Sequence, residues 1–132
     1  MKKEIQENIE EFNILELKLN EIEQQTNLIE KQITELKGLE ISLDKLKNFD
    51  KKTEMFSMLG SDTFIESEVK NNDKVLVNIG AKIFMKKNIK EAKESIEKRI
   101  DKMDGVYKEL AEEAGKIIEK LTVIGEEIRA NS

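Results

Sequence analysis

The sequence predicts a mainly α protein with a small β region. The expected form is a long antiparallel coiled-coil hairpin with two β-hairpins at one end, whose strands join an intersubunit β barrel. Three observations predict it. Apolar residues recur every three or four positions over two long stretches, residues 5–36 and 89–128. The 132-residue chain contains no Pro to interrupt either stretch. Between them, residues 54–87 hold four short runs of β-branched, aromatic and Met residues, divided by Gly or by an Asn/Asp cluster. One domain is expected over residues 1–132, with a first helix at 3–49, hairpins at 53–87 and a second helix at 88–130.

The first helix follows a heptad. Ile5, Phe12, Leu19, Thr26 and Ile33 occupy one seam position, and Asn8, Leu15, Ile22, Ile29 and Leu36 the other. Eight of these ten are apolar, which sets the helical period above a strand's. Beyond Gly38 the apolar set becomes Leu39, Leu43 and Leu46, a drift of the seam around a continuing helix. Asn48-Phe49-Asp50 and the lysines after them mark the exit. At 1.5 Å per residue the helix spans roughly 70 Å.

The middle of the chain reads as two successive hairpins. Met55-Phe56-Ser57-Met58-Leu59 and Thr63-Phe64-Ile65 flank Gly60, and Val75-Leu76-Val77-Asn78-Ile79 and Ile83-Phe84-Met85 flank Gly80. Val75, Val77 and Ile79 alternate with Lys74, Leu76 and Asn78, so they share one face. Gly60 and Gly80 serve turns that need positive φ; neither has the strand–loop–helix setting of a phosphate loop. Hairpins this small leave open edges and need further strands to complete them. Strands from several subunits are therefore expected to combine.

The second helix has a start signal: Asn88 as N-cap and Glu91 three residues on, the spacing of a capping box. Its stripe runs Ile89, Ala92, Ile96, Ile100, Met103, Tyr107, Leu110, Ala114, Ile117, Leu121, Ile124 and Ile128. Gly105, Gly115 and Gly125 each cost about 1 kcal/mol relative to Ala, a yielding helix. At roughly 60 Å it nearly matches the first helix, and each has a single stripe to bury. An antiparallel pair, with both chain ends together, satisfies both.

Composition narrows function. With no His and no Cys, the commonest acid–base, nucleophilic and metal-ligating groups are missing, and no carboxylate pair lies in an apolar stretch that would tune an acid. No catalytic role, cofactor or metal is expected. A net charge of −5 argues against nucleic acid as partner. Lys51-Lys52 and Lys86-Lys87 with Lys90 read as solvated or edge-protecting clusters. No apolar run reaches membrane-span length, so neither a membrane partner nor a leader is expected, and the default location is cytoplasmic.

Four segments carry a family resemblance: Met58-Leu59-Gly60, Asp62-Thr63-Phe64-Ile65, Asn78-Ile79-Gly80 and Asn88-Ile89-Lys90-Glu91-Ala92. In this order, between two long helices, they resemble the α class of archaeal prefoldin subunits, which has two hairpins where the β class has one. The chain departs from that pattern in having Ser57-Met58 where Pro often precedes the first Gly, and Met55 and Met58 at usually β-branched positions. The resemblance implies an ATP-independent holding chaperone: a hexamer of two α and four β subunits with a double β-barrel body and coiled-coil tentacles. It further implies that non-native or nascent proteins are gripped at the tentacle ends and passed to a group II chaperonin. A second copy of this chain and prefoldin β subunits are then its assembly partners.

For such a holdase the candidate client-binding residues are Ile5, Ile9 and Phe12 on the first helix and Leu121, Val123, Ile124 and Ile128 on the second. Ile9 and Val123 lie off both seams and are expected to be the exposed ones. The bland reading is that all seven simply zip the helices together. The candidate subunit interface is Phe56, Met58, Phe64, Ile65, Val75, Val77, Ile79, Ile83 and Met85, for which the alternative is a local core. The competing function is a structural coiled-coil scaffold that forms homo-oligomers or filaments without binding clients.

Overall fold

The computed structural model describes residues 2–49 and 53–131, so Lys51-Lys52 and Asp50 lie outside the described residues. The element order is α1 (Lys2–Lys47), β1 (Glu54–Gly60), β2 (Thr63–Glu68), β3 (Lys74–Gly80), β4 (Ile83–Asn88) and α2 (Ile89–Asn131). Two long helices enclose two hairpins in sequence, as the apolar periods imply. The chain divides into two compact units, Met1–Thr34 with Asp101–Ser132, and Glu35–Ile100.

In the first unit the two helices run antiparallel. Asn8 Nδ2 donates to Glu127 Oε2 at 3.5 Å, and Tyr107 Oη donates to Glu30 Oε1 at 2.9 Å, so the partner's number falls as the first rises. Ile22, Ile33, Ile117 and Ile124 are buried in the seam, flanked by half-buried Phe12, Leu15, Leu19, Ile29 and Leu121. Polar seam residues are satisfied locally. Thr26 Oγ1 returns its proton to the Ile22 carbonyl at 2.8 Å, and Tyr107 has Glu30. Among the described residues no buried side-chain polar atom lacks a partner. The Tyr107–Glu30 bond joins the two helices and favours this register, whereas the Thr26 bond lies within α1 and is indifferent to it.

In the second unit Leu36, Leu43, Ile89, Ala92, Ile96 and Ile100 form the buried seam, with Val69 joining them from the hairpin connection. Leu39 is exposed and Leu46 half-buried, so after Gly38 only part of the expected drifted set stays covered; Leu43 simply continues the heptad. Lys93 Nζ lies 2.6 Å from Asp44 Oδ1 across the pair. α1 ends in a tightened turn, with Asn48 N–H donating to Lys45 O and Phe49 N–H to Leu46 O. Its last carbonyls are capped from outside: Asn72 Nδ2 donates to Lys47 O at 3.2 Å and to Phe49 O at 2.8 Å.

β1 pairs with β2 and β3 with β4, each antiparallel, as two separate two-stranded sheets. Gly60 and Gly80 have φ of 133° and 123°, the positive values expected of them. The central turn residues are Ser61-Asp62 and Ala81-Lys82, all four at φ between 46° and 61°, the left-handed pattern of a type I′ turn. A bulge falls between Met58 and Gly60, and another between Asn78 and Gly80. Val75 and Val77 are half-buried on one face of β3, and Ile79, at the second bulge, is exposed. β4 passes directly into α2 at Asn88. The Glu91 N–H donates to Asn88 Oδ1 at 2.7 Å, and Asn88 Nδ2 donates back to Glu91 Oε1 at 3.0 Å. This is the expected capping box, closed through the Asn side-chain amide.

Candidate functional site

The sites to consider are binding surfaces. Among the described residues no group of His, Cys, Asp and Glu could hold a metal, and no helix is long and apolar enough to cross a membrane.

In the first unit the ends of α1 and α2 meet where the chain's termini lie. Phe12, Leu19, Ile118, Leu121, Thr122 and Gly125 line an open groove of about 480 Å³, with Glu126 and Arg129 on its rim. Gly125 shapes it: a β-carbon there would stand 3.7 Å from the Phe12 ring. Ile9 and Val123 are 43% and 55% exposed, as their places off the seam imply. Ile5, Phe12, Leu121 and Ile128 are half-buried. Ile124 is only 7% exposed and therefore offers no free surface. It sits on the seam itself, so its side chain is consumed by helix pairing. Ile118 is exposed, lines the groove and escaped sequence reading. Its neighbour Ile117 takes the seam position, and adjacent helical residues diverge by about 100°.

In the second unit the hairpins present an unusual amount of apolar surface. Phe56, Met58, Phe64, Ile65, Ile79, Ile83 and Met85 are all exposed, and only Val75 and Val77 of the expected interface are half-buried. Met55, Leu59, Leu76 and Phe84 are exposed too, so both faces of each hairpin are apolar. Strand alternation should have flagged these four, since it gives each strand two faces and only one was credited on β1, β3 and β4. Val75 and Val77 line a groove of about 1000 Å³ whose other wall is Leu39, Leu43, Ala92, Ile96 and Arg99. Monomers rarely leave contiguous apolar surface of this kind uncovered. Every strand has one paired edge and one open edge. The arrangement is chemically suited to β-addition.

Comparison with known proteins agrees with this geometry. A sequence profile for the prefoldin subunit family matches residues 15–132. The chain belongs to the prefoldin family. It is 34% identical over 125 residues to "Prefoldin subunit alpha" of Methanobrevibacter smithii, covering 92% of this chain and 85% of that protein. It is also 29% identical over 131 residues to the protein of that name from Archaeoglobus fulgidus, covering 97% and 93%. These relatives make it an archaeal α-type prefoldin, a chaperone subunit that assembles with other prefoldin subunits. A solved chain described as "Cryo-EM structure of filamentous PFD from Methanocaldococcus jannaschii" superposes with a TM-score of 0.79 over 93% of this chain and 98% of that one, at 21% identity. That likeness shows the prefoldin fold: two long helices with two small antiparallel hairpins.

Proposed function

We propose that this subunit is part of an ATP-independent, non-catalytic holdase in the cytoplasm, which binds non-native proteins at the ends of its paired helices. The observation that carries this reading is the apolar groove of Phe12, Leu19, Leu121 and Gly125, flanked by exposed Ile9 and Val123. Reversible burial of an aliphatic side chain contributes roughly 1.5–3 kcal/mol, so one helix pair grips weakly. Several pairs in one assembly multiply that grip through effective concentration, while each contact stays easy to release. The seven predicted residues divide into two roles: Ile124 holds the helices together, and the other six meet the client. The assembly is a hexamer of two such chains and four β subunits, joined through the hairpins, and it hands its clients to a group II chaperonin.

The test is aggregation of a chemically unfolded protein, measured with this chain assembled on its β partner. Joint substitution Ile9→Ser and Val123→Ser is expected to weaken protection several-fold while the mass of the complex is kept. Undiminished protection by that variant would falsify the assignment of the helix ends.

A second reading is favoured by the open strand edges and by the filamentous relative of similar fold. In it the chain is a scaffold that grows by hairpin pairing and binds no client. Long homomeric assemblies that fail to slow aggregation would favour that reading.

A further inference from the structure

Sulfur in this chain is carried by methionine alone, since there is no Cys. The described methionines fall into two settings. Met103 is half-buried on the α2 stripe, whereas Met55, Met58 and Met85 lie on hairpin strands at 37%, 66% and 50% exposure. Met58 is the most exposed of them, and so the thioether that a dissolved oxidant meets most freely.

The strand register also gives Met58 the least accommodating neighbours. Phe56 and Met58 alternate along β1 and stand across the ladder from Glu66 and Phe64, while Glu54 and Glu68 complete the same face. Two phenylalanines and three carboxylates therefore surround it. None of these side chains donates a hydrogen bond when the carboxylates are ionised. A thioether requires no donor and suits aromatic company. A sulfoxide adds an oxygen that only accepts, and on this face it meets rings and like charge. Water satisfies that oxygen while the face is open; a protein surface laid over the face strands it.

The other two strand methionines are placed differently. By register Met85 shares its face with Val75, Val77 and Lys87, and an ammonium group is a donor. Met55 shares its face with Ser57, Ile65 and Ser67, which bring two hydroxyls. As adaptable apolar filler, all three methionines would be equivalent. High exposure combined with a face that has no donor singles out Met58.

We propose that Met58 is a reversible oxidation site, at which a peroxide decides whether the first hairpin can be covered by a partner subunit. In the forward step the sulfur lone pair attacks one peroxide oxygen; an S–O bond forms as the O–O bond breaks. Sulfur loses two electrons, and the other oxygen leaves as water after taking the proton from the transferred one. A methionine sulfoxide reductase reverses the step: two thiols supply two electrons and two protons, become a disulfide, and the oxygen departs as water. The inference rests on the reading of the hairpins as the assembly surface, but not on client binding.

The test treats the full chain with hydrogen peroxide, removes the excess and maps sulfoxides by peptide mass spectrometry. Met58 is expected to oxidise ahead of Met85 and Met55, and at least about tenfold faster than Met103. The mass of the complex with the β partner is then read by light scattering. Oxidised chain is expected to bind at least about tenfold more weakly, and reductase with a dithiol to restore binding. Met58→Leu is expected to assemble normally and to keep doing so after peroxide, whereas Met85→Leu stays sensitive. Met58→Gln, which adds a polar oxygen without peroxide, is expected to imitate the oxidised chain. Oxidation of Met103 before Met58 overturns the proposal, as does unchanged assembly by chain carrying the Met58 sulfoxide. So does peroxide that disables Met58→Leu as fully as the unmodified chain. Untreated Phe56→Asp with Phe64→Asp separates the proposal from the reading beneath it. Normal assembly by that variant removes the first hairpin as an assembly surface, and the proposal with it. Failed assembly there, beside intact assembly of the oxidised chain, overturns the oxidation site alone.

Discussion

The Phe12 ring lies 3.7 Å from the point where a β-carbon on Gly125 would sit, an ordinary van der Waals distance. The glycine is thus a gap in the helix surface that Phe12 faces, not a site of close approach. Gly125→Ala is expected to add a contact and remove the helix-interior penalty, stabilising the chain by about 1 kcal/mol. The same methyl narrows the groove, so aggregation protection should fall as the unfolding midpoint rises. Both are read on one preparation, by denaturant titration and by light scattering of an unfolded client.

Neighbouring residues on α2 should behave oppositely. Ile124 is buried in the seam and Val123 is exposed. Ile124→Ser is expected to cost about 2–4 kcal/mol in denaturant unfolding. Val123→Ser should change stability by less than about 0.5 kcal/mol while weakening client protection. Equal stability losses at the two positions would contradict the helix register.

The turns hold removable strain. Ala81 and Lys82 sit at φ of 50° and 61°, where a β-carbon meets the following carbonyl. Replacing them by Asn-Gly, the pair that type I′ turns prefer, is expected to stabilise by about 1–2 kcal/mol, measured as a shift in unfolding midpoint of the assembled protein.

Two asparagines close helix ends. Asn72→Ala leaves the Lys47 and Phe49 carbonyls without their donor, and Asn88→Ala leaves the Glu91 N–H without its acceptor. Each is expected to cost about 1 kcal/mol. Hydrogen exchange should speed up at the end of α1 for the first variant and at the start of α2 for the second.

Titration acts at two contacts between the helices. The hydrogen bond that Lys93 donates to Asp44 holds the Asp44 carboxyl below its usual range and raises Lys93. Asp44's contribution is present above the ordinary carboxylate pKa of about 4 and is lost as pH falls through the lower, folded value. Tyr107 is raised by donating to Glu30, and by that carboxylate's charge. Its contribution, with that of Lys93, is complete below about pH 10 and lost as pH climbs through the raised values. Tyr107→Phe should flatten the alkaline limb of stability against pH, and Asp44→Asn the acid limb. Unchanged limbs in both variants would argue that these contacts carry no net stability.

Much of the fold was legible in the sequence because helices and hairpins are set by local rules. Every seam residue expected on α1 from Ile5 to Leu36, and on α2 from Ile89 to Ile128, is buried or half-buried. The capping box at Asn88 and the turns at Gly60 and Gly80 were readable for the same reason: each involves residues within a few positions of one another. The bulges at Leu59 and Ile79 were not legible, because alternation cannot reveal where one residue is added to the count. Asn72 was missed because its partners are more than twenty residues away.

What the amino-acid order alone determined is the set of elements, the face each helix must bury and the family, since periodicity and short-range capping depend on neighbours in the chain. Only tertiary structure decided that Ile118 lines the groove at the helix ends, and that the hairpins form two sheets rather than one. Those outcomes depend on which surfaces meet at long range, and in this chain the apolar strands meet too few of their own residues to be covered.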